Sequence, residues 1–155
     1  MMPIAIVILG LLLLVPCAEP SDDREAGVRT TVGEFYKAFD DGFVGPADYA
    51  AEDWNHIGPY GSRDRGREAT LKNLRGLHQT FLKGTTDTIE NMDIRFAAED
   101  VAVGTVTSVM SPFTAPDGVK HDTERHIRTF VVVKRGSRWL IMQDHNTTVA
   151  EVSPR

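Results

Sequence analysis

TFVVVKRGSRWLIMQDHNT, residues 129–147, holds two apolar runs joined by Arg135-Gly136-Ser137. β-Branched and aromatic residues fill both runs, and so short a link turns a chain back on itself as an antiparallel hairpin. Reading outward, the first run extends back to Lys120 and the second spans Arg138 to Thr147. Val101 to Ser111 alternates in the same manner, and Ala98-Glu99-Asp100 turns into it from a strand over Thr88 to Phe96. PFTAPDG, 112–118, is a longer turn-rich link between two of these strands. The second half of the chain therefore reads as a meander of long antiparallel strands.

The first half has helical periods. Ser21 followed by Asp22, Asp23 and Glu25 makes a capped, acid-rich helix start, and Val28, Val32, Phe35 and Phe39 recur on one face with Tyr36 at its edge. Asp40-Asp41-Gly42 ends that helix. Pro46 to Glu52 reads as a short second helical turn, with proline at its first position. Asp53 to Ile57 alternates as a strand, placing Trp54, His56 and Gly58 on one face. After GSRDRG, the residues Leu71, Leu74, Leu77, His78, Phe81 and Leu82 form a second helical stripe that stops at Gly84. Helices followed by a strand meander predict an α+β fold, a curved antiparallel sheet wrapped around the N-terminal helices. Where the helices leave the concave face unfilled, a small-molecule cleft is expected.

The 155 residues are 41% hydrophobic and 25% charged, enough for one domain, expected over 19–155. A formal charge of -5 without a Lys/Arg run argues against a nucleic-acid partner. Residues 1–18 carry no Asp, Glu, Lys or Arg around the run IAIVILGLLLLV and read as a signal peptide, implying export to a periplasm or the exterior. Cys17 is the single cysteine, so no internal disulfide forms. Leu14-Val15-Pro16-Cys17 resembles a bacterial lipoprotein signal, with Pro16 where a small residue is usual; a lipid on Cys17 is the one membrane contact the sequence suggests. The other reading is that Cys17 lies beside an ordinary cleavage point.

EDWNHIGPYGSRDRGREA, 52–69, leading into a helix, and the hairpin above with its Trp-X-Ile-X-Gln-X-X-Asn-Thr ending, together resemble the nuclear transport factor 2-like superfamily. Within it the sequence is most similar to the SgcJ/EcaC family and its SnoaL-like and ketosteroid-isomerase-like neighbours, over about Asp23 to Thr148. The resemblance implies a cone-shaped α+β fold with a pocket, and a homodimer formed through the outer sheet face. Function within such a superfamily is a property of the site rather than of the fold.

Period-two alternation puts Trp139, Ile141, Gln143, His145 and Thr147 on one face of the last strand, and Leu140, Met142, Asp144 and Asn146 on the other. One strand alone leaves open which face is inner. With the first face inward, Gln143 and His145 meet Asn55 or His56 of the first strand and His78 of the second long helix at the cone mouth. His145 is then the general base, Asn55 and Gln143 donate to an oxyanion, and Tyr36, Trp54 and Phe113 form apolar walls. The blander readings are that Gln143 and His145 satisfy each other at a rim, that His56 is a hydrogen-bonded core residue and that His78 packs structurally. HDTERHIR, 121–128, reads as a solvated or dimer-facing edge.

No cofactor is expected, because Gly58, Gly61 and Gly66 do not form a dinucleotide fingerprint. No metal is expected either: His121 and His126 stand five apart on a strand and point to opposite faces. Two function classes remain. One is an exported enzyme of isomerase, dehydratase or cyclase type acting on a small apolar molecule; the other is a non-catalytic ligand-binding or dimerisation module.

Overall fold

The computed structural model describes residues 21–150; the expected signal segment and Cys17 lie outside the described residues. Helix α1 spans Ser21–Asp40, and its Val28, Val32 and Phe35 are fully buried. After it the chain folds as β1 (Ala50–Ile57), β2 (Arg63–Arg65), α2 (Arg67–Gln79), β3 (Asp87–Ala98) and β4 (Val101–Met110). A small hairpin, β5 (Phe113–Thr114) and β6 (Lys120–His121), precedes the long pair β7 (Glu124–Arg135) and β8 (Arg138–Thr148). Six strands form one sheet in the order β2-β1-β8-β7-β4-β3, and α1 and α2 cover its concave face.

Three elements differ from the expectation. Pro46 to Glu52 is not a helical turn: a single turn bond from the Ala50 N–H to the Ala47 carbonyl remains, and Ala50 already belongs to β1. Burial of Tyr49, Ala50 and Trp54 in the core decides the matter over the local preference that a leading proline gives. β1 then pairs in parallel with β8, so the sheet is mixed rather than wholly antiparallel. The strand expected over Lys120 to Lys134 is broken at Asp122-Thr123, and its first part pairs with β5 instead of continuing β7.

Phe35 sits at the centre of the core, with edge-on contacts to Tyr36, Phe43, Tyr49, Trp54 and Phe130. Full burial of such a side chain contributes about 1.5–3 kcal/mol. Helix and sheet approach most closely at Gly27, where an added Cβ would lie 2.6 Å from Trp139 Cδ1, while the Thr31 hydroxyl donates to the Trp139 carbonyl at 2.9 Å. These contacts hold α1 across the first half of β8 and leave the second half open toward a cavity.

The pairing of β7 with β8 shifts between Val131, opposite Gln143, and Val132, opposite Ile141, so that Met142 is an extra residue on β8. One inserted residue exchanges the two faces of every position beyond it. Before the bulge Trp139 and Ile141 point inward; after it Asp144 and Asn146 do.

Candidate functional site

Beyond the bulge, Asp144 is fully buried and opposite His56 in the parallel register of β1 and β8. Its carboxylate accepts from three donors. His56 Nδ1 lies 2.9 Å from Oδ2 and 3.0 Å from Oδ1, the Trp54 indole donates to Oδ1 at 2.8 Å, and Arg128 Nη1 donates to Oδ2 at 2.7 Å. Burial alone would raise the Asp144 pKa. The hydrogen bond and charge of His56, the Arg128 guanidinium and the Trp54 indole outweigh it and hold the carboxyl below the usual carboxylate range.

An ionised carboxylate only accepts hydrogen bonds, so His56 carries a proton on Nδ1, and Nε2 is the ring nitrogen that the carboxylate does not engage. His56 lines a cavity of about 250 Å³ between the sheet and α2, and Nε2 faces the Gly58 side of it. Gly58 is itself confined: a Cβ there would meet Ser62 Oγ at 2.5 Å. Arg128 also lines the cavity, with its guanidinium over the Phe35 ring at 4.8 Å and its Nε buried with no hydrogen-bond partner among the described residues. Phe39, Leu74, Leu77 and Phe81 make the opposing wall apolar, and Met110 of β4 adds an apolar surface on the sheet side. The site thus offers a fixed imidazole, a cation and a dry surface.

Some of the expected site residues meet here and others do not. Trp54 and His56 share the inner face of β1 as their spacing implied, and Trp54 acts as a donor to Asp144 beneath the cavity rather than as its wall. Phe113 lines the cavity and stacks on His121 with ring centroids 4.5 Å apart. Tyr36 is buried under the site, its hydroxyl donating to Ser108 Oγ at 3.3 Å, and burial raises its pKa. His78 packs edge-on against Phe39 and Phe43 outside the cavity lining; burial lowers its pKa, and its Nε2 has no partner among the described residues.

Correction is needed at three positions. His145 is exposed on the outer face, Gln143 stands on that face beside it, and Asn55 turns its amide toward the Asp53 carbonyl at 3.4 Å. The Met142 bulge puts the first two outside, and the alternation that turns His56 inward turns Asn55 away. The run HDTERHIR is also not a solvated edge throughout, since His126 and Arg128 are buried on the concave side while Arg125 and Ile127 point out. Arg128 is therefore the residue that sequence reasoning missed, while Asp144 is read on the face opposite Gln143 and His145 without a role; the one signal for Arg128 was the alternation of β7, in which His126, Arg128, Phe130 and Val132 form a continuous inner row. Among the described residues no group of three or more His, Cys, Asp or Glu is placed to hold a metal ion.

The fold is that of the cystatin-like, nuclear transport factor 2-like proteins. A protein of cystatin-like fold from Caulobacter vibrioides superposes with a TM-score of 0.79 at 19% identity, covering 83% of this chain and 92% of its own. A proposed scytalone dehydratase from Novosphingobium aromaticivorans superposes with a TM-score of 0.67 at 17% identity, over 86% of this chain and 90% of its own. A hexachlorocyclohexane dehydrochlorinase, LinA type 2, does so with a TM-score of 0.69 at 13% identity, over 86% and 93%. No family model matches the chain, and no curated protein sequence matches it. Likeness at these identities concerns the fold, so the chemistry has to come from the residues in the cavity.

Proposed function

We propose that the protein is a small-molecule enzyme of isomerase or dehydratase type, in which His56 is the general base. The observation that carries this reading is the buried His56–Asp144 pair, with the acid on Nδ1 and the opposite ring nitrogen on an apolar cavity. Asp144 orients the ring and fixes its tautomer. Arg128 already matches the Asp144 charge, so a proton gained by His56 leaves the cluster with one net positive charge. An enolate or related oxyanion formed by loss of that proton supplies the missing negative charge in a setting where water screens little. Two similar structures named for a dehydratase and a dehydrochlorinase support an acid–base reading. Binding without turnover is the competing reading; a saturated hydrogen-bond network on His56 would have favoured it, whereas no hydrogen bond to Nε2 is found among the described residues.

Export through residues 1–18 and assembly as a homodimer through the outer sheet face belong to the same proposal and rest on the sequence. The test of the catalytic step needs no knowledge of the natural substrate. 4-Phenylcyclohexanone, an apolar ketone with exchangeable protons beside its carbonyl, is incubated with the protein in heavy water and followed by NMR. Deuterium incorporation above background, abolished in His56→Gln, is the expected result. Exchange that is absent, or unchanged by the substitution, overturns the assignment of His56.

A further inference from the structure

The cavity has a second polar end that the His56 chemistry does not use. His126 lies on β7, two strands across from His56 and four residues along from Phe130, the partner of Asp144. At ordinary sheet spacing that is roughly 10 Å across and roughly 13 Å along. One functional group cannot touch both imidazoles, yet both line the same cavity. Leu74, Leu77 and Phe81 line the same cavity and make its wall apolar.

The two ends differ in chemistry. At the His56 end stands the Arg128 guanidinium, which suits an electron-rich oxygen. At the other end Glu124 Oε2 lies 3.3 Å from His126 Nε2, and Asp87 Oδ2 lies 4.0 Å from His126 Nδ1. Asn146, 3% exposed, turns its amide nitrogen to His126 Nδ1 at 3.3 Å and leaves its Oδ1 buried with no hydrogen-bond partner among the described residues. A buried acceptor without a donor is unfavourable, and a ligand that supplies one relieves it. The Glu124 carboxylate, which already faces His121 Nδ1 at 2.7 Å and His126 Nε2 at 3.3 Å, repels a second carboxylate, and the unmatched Asn146 Oδ1 calls for a donor; a neutral hydroxyl meets both conditions.

Building on the proposed small-molecule site, we infer that its ligand is an elongated apolar molecule with a carbonyl oxygen at the Arg128 end and a hydroxyl at the end formed by Glu124, His126 and Asn146. His126 and Asn146 are then specificity-determining residues that select for the far hydroxyl, while the proton transfer stays at His56.

The test compares 4-phenylcyclohexanone with 4-(4-hydroxyphenyl)cyclohexanone, which adds a hydroxyl at the far end of the same skeleton, by isothermal titration calorimetry. The wild-type protein is expected to bind the hydroxylated ketone about tenfold tighter. His126→Phe is expected to bind both ketones with equal affinity, and a wild-type circular-dichroism spectrum shows that the variant is folded. Glu124→Gln, at a partly exposed position, provides a second route and is expected to reduce the preference. Equal affinities in the wild type, or a preference that survives in both variants, overturns this inference while leaving the His56 reading intact if deuterium exchange persists. Failure of both ketones to bind overturns the two together.

Discussion

His56 Nδ1 lies 2.9 Å from Asp144 Oδ2 across a parallel pairing of strands that are 88 positions apart in the chain. The carboxylate also holds Arg128, which is 4% exposed, so the acid is the one group that makes two other buried polar side chains tolerable. Asp144→Ala is expected to destabilise the protein by about 3–5 kcal/mol, because it strands a buried guanidinium. Urea unfolding at neutral pH measures this. The pH dependence has a defined sign: the folded-state pKa of Asp144 lies below its ordinary 3.8, so its contribution is complete above 3.8 and disappears as pH falls through the depressed value. The stability gap between wild type and Asp144→Asn should therefore narrow only on acidification below 3.8. A gap that closes at higher pH would show that Asp144 is not held ionised by its partners.

His145 provides the converse case. It is exposed beyond the Met142 bulge, on the face opposite Asp144 and Asn146. His145→Ala is expected to change stability by no more than about 0.5 kcal/mol and to leave ketone exchange at the wild-type rate. A large loss of exchange with intact folding would return the base to the outer face.

The contrast between these two histidines shows where the sequence stops being legible. The first helix and the β7–β8 hairpin announce themselves, because Val28, Val32, Phe35 and Phe39 repeat with the helical period and the unbroken run from Phe130 to Val133 is β-branched and aromatic and leads into a tight turn. The site depends instead on a single unpaired residue. Nothing in Leu140-Ile141-Met142-Gln143 marks Met142 as the bulge, since the extra residue is defined by its partner strand; strict alternation carried through it assigns Gln143 and His145 to the inside. Arg128 was obscured in another way. A run as charged as HDTERHIR is ordinarily a wet edge, and only the presence of Asp144 across the sheet makes burial of its arginine tolerable.

His78 titrates in a different window. It is 7% exposed and packed between aromatic rings, and burial lowers its pKa from 6.5. The unfolded chain thus takes up a proton at a pH where the folded one does not. The contribution of neutral His78 is complete above 6.5 and declines as pH falls below it. His78→Leu should remove that limb of the stability profile. The difference between wild-type and variant denaturation midpoints, followed downward from neutral pH, isolates it from the other histidines; parallel curves would show that His78 is charged or solvated in the folded state.

The outer face of the sheet sets the last expectation. Alternation along β4 buries Ala102, Val106 and Met110 on the inside and leaves Val101, Val103 and Val109 half-buried on the outside. Neighbouring β7 adds Val131 and Val133 to the same outer surface, and Ile127 is 43% exposed there. β-Branched apolar side chains on adjoining strands make a contiguous patch, of the kind that marks an interface when rimmed by polar groups. An isologous dimer through this face places each patch against its own copy, so one substitution acts twice. Val131→Glu introduces a charge at the patch without touching the cavity lining. Light scattering after size exclusion should give twice the chain mass for the wild type and the single chain mass for Val131→Glu, with ketone binding retained. A wild-type protein that elutes as a single chain would refute the dimer and leave the cavity chemistry as it stands.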